Sequence, residues 1–264
     1  MSAFHRILEK YRKEALSQRD KGARFEKLMR AFLRTAPMYA GDIDEVWLWS
    51  EFPHRGQFGG KDTGIDLVAR TWEGEFWAVQ CKCYAEGVYI DKAEVDGFLA
   101  TSGKRFVGDD GEETGFAQRL WISTTNRWGQ EAENTIRHQS PPVARLSLAD
   151  LEQAPVDWET LEKGTDGAKA RTPKKSLRPH QTKALEAFRE HFAAGGERGR
   201  CIMACGTGKT FTSLKIAEDL TGGRGLVLFL APSIALVGQT LREWTTEAAA
   251  TKSVTTGKAG GLFL

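Results

Sequence analysis

The sequence predicts an α/β protein made of two units, and three features of the chain support this prediction. In the first half, apolar residues recur at helical spacing and then at strand spacing. A stretch at 163–176 is poor in large apolar residues and rich in Lys, Arg, Pro and Gly, which is typical of an exposed linker. After it, the segment 198–220 predicts a strand, a Gly-rich turn and a helix. We therefore expect domains at 1–162 and 177–264, joined by a basic linker.

Composition and charge indicate a protein with a sizeable core and without a membrane span. The chain has 264 residues, of which 41% are hydrophobic, enough for a sizeable core. Its net charge of +2 provides no global attraction to nucleic acid, so such a partner has to be bound by a local patch. The charged N-terminus does not resemble a signal peptide, and no segment approaches the roughly 18 apolar residues of a membrane span. We expect a cytoplasmic protein with no membrane partner, whose four cysteines are reduced.

The first half begins with two predicted amphipathic helices and continues as strands mixed with helices. Apolar residues recur at helical spacing from Phe4 to Ala15 and from Phe25 to Phe32. The expected order after them is three strands, a helix, a strand, a helix and a strand, at 45–52, 64–70, 75–83, 91–100, 119–125, 129–139 and 143–148. This order is typical of a compact mixed α/β layer.

The segment 76–84, FWAVQCKCY, carries polar residues in an apolar strand. Alternate residues of a strand face opposite sides. One face is predicted to carry Phe76, Ala78, Gln80 and Lys82, and the other Trp77, Val79, Cys81 and Cys83. Free cysteine packs as a small apolar side chain, and no second Cys or His pair stands at metal-ligand spacing. The thiols are therefore expected to pack, whereas Gln80 and Lys82 need polar partners.

A carboxylate is expected to join these two side chains. In TGIDLVAR, Asp66 projects opposite to Ile65 and Leu67. If the two strands pair as a hairpin, Asp66, Gln80 and Lys82 converge on one face. Oxygen ligands that hold Mg²⁺ beside an ammonium group suit phosphodiester hydrolysis, because the ammonium stabilises charge or positions the attacking water. The alternative is an edge strand with one hydrated face.

The spacing and flanks of these residues resemble a known signature. GGKDTGIDLVA followed by AVQCKCY resembles the D…QxK form of the PD-(D/E)XK signature in Mrr-like restriction endonucleases. The resemblance implies a restriction-endonuclease-like mixed-sheet domain in which Asp66 and Gln80 bind the metal and Lys82 assists the water. GARFEKLMRAFL is similar to the first core helix of that family, which makes Glu26 a further catalytic candidate; an ordinary surface glutamate is the alternative. Asp62 is a second-choice carboxylate.

A later segment resembles another part of the same family. ISTTNRWGQEAENTIRHQ is similar to the Mrr-like strand and helix that follow the signature. The resemblance implies a structural or phosphate-contacting role for Thr124 and Thr125 at the end of the strand. His138 is expected on a helix surface, without a catalytic role.

The second half contains a phosphate-binding loop. In MACGTGKT the residues Gly206, Thr207, Gly208, Lys209 and Thr210 place backbone N–H groups at a helix N-terminus, where phosphates bind. The lysine reaches the β- and γ-phosphates of ATP and Thr210 holds Mg²⁺. With Met203 in place of the first Gly of the strict pattern, the loop resembles that of superfamily 2 helicases and translocases. In that resemblance RPHQ contains the Q-motif, with Gln181 as the adenine ligand.

The segment after the loop also resembles these motors, but the sequence stops soon afterwards. GLVLFLAPSIALVGQTLREW is similar to their next strand and motif Ia, with Ser233, Gln239 and Thr240 as DNA-backbone candidates and helix packing as the alternative. No acidic box for ATP hydrolysis occurs before Leu264. We expect ATP binding without useful hydrolysis by this chain.

Taken in order, these segments resemble the N-terminal part of Type ISP restriction enzymes. In that family an Mrr-like nuclease and a translocase precede methyltransferase and target-recognition domains. The resemblance implies a Mg²⁺-dependent endodeoxyribonuclease of the restriction type, joined to a partial RecA-like P-loop α/β domain. Double-stranded DNA, ATP and the missing downstream domains are the implied partners. Two alternatives stay open, a non-cleaving DNA-binding and ATP-sensing module and a nuclease-helicase of DNA repair.

Overall fold

A computed structural model of the chain describes residues 2–59, 64–85, 87–204, 206–222, 225–248, 255–256 and 261–263. The chain divides into two compact units, Met1–Thr172 and Pro173–Leu264. Within the described ranges, none of the helices combines the length and hydropathy that a bilayer span requires.

The first unit contains most of the regular structure. Its helices are α1 (Ala3–Glu14), α2 (Gln18–Thr35), α3 (Pro37–Ala40), α4 (Lys92–Ser102), α5 (Gln130–Ile136), α6 (Leu148–Glu152) and α7 (Trp158–Glu162). Its strands are β1 (Ile43–Leu48), β2 (Leu67–Thr71), β3 (Phe76–Lys82), β4 (Phe106–Val107), β5 (Glu113–Thr114), β6 (Phe116–Ser123) and β7 (Val143–Leu146). The order of the longer elements matches the predicted mixed α/β layer.

The two opening helices begin where the sequence supplies hydroxyl caps. Ser2 accepts a hydrogen bond from the His5 N–H, and Ser17 accepts one from the Asp20 N–H. Each cap satisfies a backbone donor that the first helical turn leaves without a partner. The buried faces are those with apolar residues at helical spacing, including Phe4 and Leu8 in α1 and Phe25 and Phe32 in α2.

Five strands form one mixed sheet, in the order β1-β2-β3-β6-β7. The pairs β1–β2 and β2–β3 are antiparallel, with Leu67 opposite Val79. The pairs β3–β6 and β6–β7 are parallel, with Gln80 opposite Trp121. Strand β3 is therefore the central strand, at which antiparallel pairing changes to parallel pairing.

The sheet separates two apolar cores, and the strand β3 contributes to both. Val79 and Cys81 are buried against α1, α2 and α7, with Trp77 and Cys83 partly buried beside them. Phe76 and Ala78 face the other core, which contains residues of α4 and α5. The period-two assignment of the two faces is confirmed, and the cysteines of this strand pack on the apolar side that contains the first two helices.

The end of the first unit differs from the predicted linker. The division between the units lies at Thr172, inside the range 163–176. However, Gly167–Ala170 form a 3-10 turn, and Ala170 is fully buried. The Gly167 N–H donates to Thr35 Oγ1 at 2.7 Å, and Arg171 Nε donates to the Thr35 carbonyl at 2.8 Å. These contacts hold 167–171 on the first unit, against the C-terminal end of α2.

The second unit contains α8 (Pro179–Ala193), α9 (Lys209–Thr221), α10 (Ile234–Glu247) and the short strands β8 (Leu228–Leu230), β9 (Thr255–Thr256) and β10 (Gly261–Phe263). The strands pair antiparallel in the order β8-β10-β9. The strand predicted before the Gly-rich turn is wrong for residues 198–204, which have no strand structure. A strand needs a hydrogen-bonded neighbour, and this segment pairs with none of the described strands; Ile202 is accordingly 85% exposed.

Candidate active site

Asp66 and Gln80 meet at the end of the β2–β3 hairpin. The Asp66 N–H donates to the Val79 carbonyl at 2.9 Å, which extends the antiparallel pairing by one residue. Gln80 Nε2 donates to Asp66 Oδ2 at 2.5 Å, and the Cys81 N–H donates to the same oxygen at 2.7 Å. The hairpin therefore brings together the first two residues that the sequence assigns to the site.

The Gln80 side chain is buried and leaves one polar atom unsatisfied. Gln80 is 3% exposed, and its Oε1 has no hydrogen-bond partner within the described part of the chain. A buried acceptor without a donor is costly, so a cation or a water molecule at this oxygen would be favourable. Carboxylate and amide oxygens are ligands that Mg²⁺ accepts, usually together with several waters. The pair Asp66 and Gln80 therefore fits a magnesium ion, although the described residues contain no cluster of three or more His, Cys, Asp or Glu arranged as ligands.

Lys82 lies at the end of the same strand, half-buried beside a residue that sequence reasoning missed. Its Nζ lies 3.2 Å from Glu94 Oε1. The other oxygen of Glu94 accepts a hydrogen bond of 2.6 Å from the Tyr84 hydroxyl. Burial and the contact with Glu94 raise the pKa of Tyr84, so its hydroxyl stays a donor. The spacing of Asp91 and Glu94 at the start of a helix indicates a cap and an acidic first turn, but it does not indicate that Glu94 reaches Lys82.

Glu26 lies on α2, close enough to Lys82 for the lysine charge to affect its pKa. Burial raises the pKa of the half-buried Glu26 carboxyl, and the positive charges of Lys82 and Lys27 lower it in part. Burial and the charges of Asp66 and Glu26 also raise the pKa of Cys81. Lys82 therefore lies close enough to Glu26 for their charges to interact, Asp66 and Glu26 both act on Cys81, and Gln80 contacts Asp66 directly.

The remaining candidates of the first unit have structural roles or lie elsewhere. Thr124 Oγ1 donates to the Tyr84 carbonyl and Thr125 Oγ1 to the Val88 carbonyl, both at 3.0 Å, which favours the structural role. The prediction for His138 is wrong in one respect, because α5 ends at Ile136 and His138 has a φ of 63°, outside the helix. Asp62 lies outside the described residues.

The loop predicted to bind phosphate has left-handed backbone at two of its glycines. Gly206 and Gly208 have φ of 75° and 82°, and α9 begins directly after Gly208. Lys209 Nζ donates to the Ala204 carbonyl at 3.1 Å. Thr210 is half-buried at the second position of the helix, and its carbonyl accepts a hydrogen bond from Trp244 Nε1 at 2.9 Å.

Gln181 packs directly against this loop. Its Nε2 donates to the Thr207 carbonyl at 3.1 Å, and its Oε1 accepts from the Arg178 N–H at 2.8 Å. The φ of 82° at Gly208 favours glycine, and a Cβ atom there would lie 2.5 Å from Gln181 Nε2, so the end of that side chain would have to shift. The sequence candidates for adenine and phosphate binding are thus in contact.

The three candidates for motif Ia lie on or before α10. Ser233 Oγ accepts a hydrogen bond of 3.3 Å from the Leu236 N–H and caps the helix. Thr240 is 4% exposed, which favours helix packing as its role. Gln239 is exposed.

Comparisons with known proteins match both units. A family model described as restriction endonuclease matches residues 34–168. A second model, described as Type III restriction enzyme, res subunit, matches residues 174–261. No curated protein matches the chain. Among solved structures, the chain is similar to the ATP-dependent Type ISP restriction-modification enzyme LlaBIII bound to DNA, with 32% sequence identity and a TM-score of 0.69. The match covers 90% of this chain and 15% of that chain.

Proposed function

The chain belongs to the restriction endonuclease family that matches residues 34–168, and from this premise we propose that its first unit cleaves double-stranded DNA with Mg²⁺ as cofactor. The observation that carries the proposal is the contact between Gln80 and Asp66, which leaves the buried Gln80 Oε1 without a partner among the described residues. The membership of the family agrees with the predicted fold class and makes the first unit a nuclease of the restriction type.

Each of the four gathered side chains has a distinct role in this proposal. Asp66 and Gln80 Oε1 would hold the metal, which would supply positive charge to the scissile phosphate. Lys82 donates a hydrogen bond to a phosphate oxygen or to the attacking water. Glu26, whose pKa is raised by burial, accepts a proton from that water.

For the second unit we propose ATP binding. Residues 206–210 hold the phosphates, Thr210 binds the accompanying Mg²⁺, and Gln181 contacts the adenine. The contact between Gln181 and the loop supports a shared site for base and phosphates. The chain spans 15% of the length of the solved enzyme that it resembles. We propose translocation along DNA and coupling to methyltransferase and recognition domains only for a longer protein in which this chain is one part.

Nicking of a supercoiled plasmid in Mg²⁺ or Mn²⁺ tests the nuclease proposal. The wild-type chain is expected to nick the plasmid, and Asp66→Ala and Lys82→Ala are each expected to reduce the rate by at least about a hundredfold. Cleavage that survives both substitutions would contradict the assigned site.

One observation favours a second candidate, a DNA-binding and ATP-sensing module that does not cleave. Asp66 Oδ2 already accepts two N–H donors, and a neutral glutamine binds Mg²⁺ less strongly than a carboxylate would. DNA binding by a wild-type chain that fails to nick in either metal would favour this candidate.

A further inference from the structure

Glu94 makes the contact that directs the Lys82 side chain. Lys82 Nζ and Glu94 Oε1 are 3.2 Å apart, and the two side chains are 31% and 27% exposed. Lysine has a flexible four-carbon stem, so an ammonium group without a fixed partner samples many rotamers. A half-buried ion pair restricts this freedom more than a pair at the open surface.

Glu94 is itself held by three contacts. The Tyr84 hydroxyl donates to Oε2 at 2.6 Å, so both carboxylate oxygens are engaged. The Glu94 N–H donates to Asp91 Oδ1 at 2.9 Å, which caps α4. The first turn of a helix also favours a carboxylate, because the helix dipole is positive there. The Glu94 carboxylate therefore has a defined position, and its ion pair restricts the position of the Lys82 ammonium group.

Three described residues between Lys82 and α4 are hydrogen-bonded to the segment that follows β6. The hydroxyls of Thr124 and Thr125, at the end of β6, donate to the carbonyls of Tyr84 and Val88. The Ile90 N–H donates to the Arg127 carbonyl at 2.8 Å. These bonds fix the position of Tyr84 and of the start of α4 relative to the end of β3.

Lys82 has acidic neighbours on more than one side. Its charge acts on the pKa of Glu26 in α2, and both Lys82 and Asp66 act on the pKa of Cys81. Removing the Glu94 charge would leave the acidic groups on the α2 side to attract the ammonium. We propose that Glu94, supported by Tyr84, is the positioning residue that keeps Lys82 directed toward α4 during DNA cleavage. This inference rests on the proposed nuclease function.

Single-turnover nicking by the full chain tests the role of Glu94. Glu94→Gln keeps the shape and removes the charge, and its rate constant at saturating Mg²⁺ is expected to fall at least about tenfold. DNA affinity and the Mg²⁺ concentration for half-maximal rate are expected to stay within about twofold of wild type. Tyr84→Phe is expected to cause a smaller fall, of about three- to tenfold. Asp96→Asn is the matched control, because Asp96 is an exposed acid of the same helix that pairs with Lys92; its rate is expected to equal that of wild type.

Two results would overturn the inference. An unchanged rate in Glu94→Gln would remove any role for the residue in catalysis. A rate that excess Mg²⁺ restores, with a raised half-saturating concentration, would make Glu94 a metal ligand instead of a positioning residue.

A second measurement does not depend on cleavage. In the full chain with lysine-selective ¹⁵N labelling, an ammonium group held in an ion pair gives a slowly exchanging signal, which is assigned to Lys82 by its loss in Lys82→Met. We expect the signal in wild type and in Asp96→Asn and its disappearance in Glu94→Gln. A signal that persists in Glu94→Gln would contradict the inference. Absence of nicking by wild type with this pattern intact would count against the proposed function and leave the positioning contact in place.

Discussion

The Gln80 side chain donates a hydrogen bond to the Asp66 carboxylate, and in the proposed function it also binds a metal ion. Its amide donates to Asp66 with one end and presents an acceptor with the other. A glutamate at this position would place two carboxylates in contact in a buried site, and their repulsion would disfavour ionisation of both. The neutral amide avoids this cost when the metal is absent.

Replacing the Gln80 amide by a carboxylate is expected to lower stability in the absence of metal. Gln80→Glu is expected to lower the thermal midpoint of the metal-free chain by several degrees, roughly 3 to 6 °C, because of the repulsion. Added Mg²⁺ is expected to raise the midpoint of this variant more than that of wild type, since it neutralises the second carboxylate. Thermal unfolding with and without Mg²⁺ measures both effects. A response to Mg²⁺ in Gln80→Ala equal to that of wild type would contradict the role of Gln80 as a ligand.

Glu26 leads to a prediction about pH. Its pKa is raised above the usual 4.5, chiefly by burial, so the folded chain binds this proton more tightly than the unfolded chain does. The stability that this preference contributes is present below the usual pKa and is lost as the pH rises through the raised pKa. Glu26→Gln is therefore expected to gain stability relative to wild type as the pH rises through this window. Thermal midpoints measured from about pH 4 to about pH 8 test the sign; the exposed Glu73→Gln is the control.

At the scale of elements, the approach of the segment before β2 to α4 depends on one glycine. Gly64, two residues before Asp66, has a φ of +70°, and a Cβ there would lie 2.7 Å from the Phe98 nitrogen. Gly74 has a φ of +85° and no atom within 4 Å of its Cβ position. Both glycines have a positive φ, which would be strained for any other residue, but only Gly64 has a backbone atom close to its Cβ position.

These glycines provide a matched pair of substitutions. Gly74→Ala is expected to cost about 1 kcal/mol of unfolding free energy through its backbone conformation alone. Gly64→Ala is expected to cost at least about 2 to 3 kcal/mol and to reduce nicking, since it pushes the Asp66 segment away from α4. Urea unfolding of both variants tests the difference. Equal losses of unfolding free energy in the two variants would show that the contact of Gly64 with α4 does not contribute to stability.

The helices and strands show which features of the structure can be predicted from the sequence and which cannot. The alternation in β3 predicts the two faces correctly, because side-chain direction in a strand depends only on parity. The contact of Glu94 with Lys82 was not predictable, since it depends on where the loop anchored by Thr124 and Thr125 places α4. The strand expected at 198–204 failed for a related reason, because an apolar run forms a strand only beside a neighbour.

At the scale of the whole molecule, the boundary of the first unit is testable by truncation. A chain ending at Thr172 keeps the contacts of Gly167 and Arg171 with Thr35 and the buried Ala170. A chain ending at Glu162 loses them. The shorter chain is expected to unfold about 5 to 10 °C lower, because it loses both hydrogen bonds to Thr35 and the buried contact of Ala170. Equal midpoints would place the functional end of the domain at 162.

The second unit has its own prediction, independent of cleavage. Lys209→Ala is expected to weaken ATP binding by the full chain at least about tenfold, because it removes a charged donor to the phosphates. Titration with a fluorescent ATP analogue measures the affinity. Lys183→Ala, at an exposed position of α8, is the control and is expected to bind as wild type does. Equal affinities in the two variants would contradict the assigned loop.

The hydrogen bond from the Cys81 N–H to Asp66 Oδ2 makes a backbone group of the central strand sensitive to the carboxylate. Protonation of Asp66, or a cation that draws charge from it, would weaken this bond and shift the resonance of that amide proton. The cysteine side chain packs in the core, and an isotope label at its backbone nitrogen adds no atom to the site. The strand therefore contains a spectroscopic reporter of ion occupancy that needs no added chromophore.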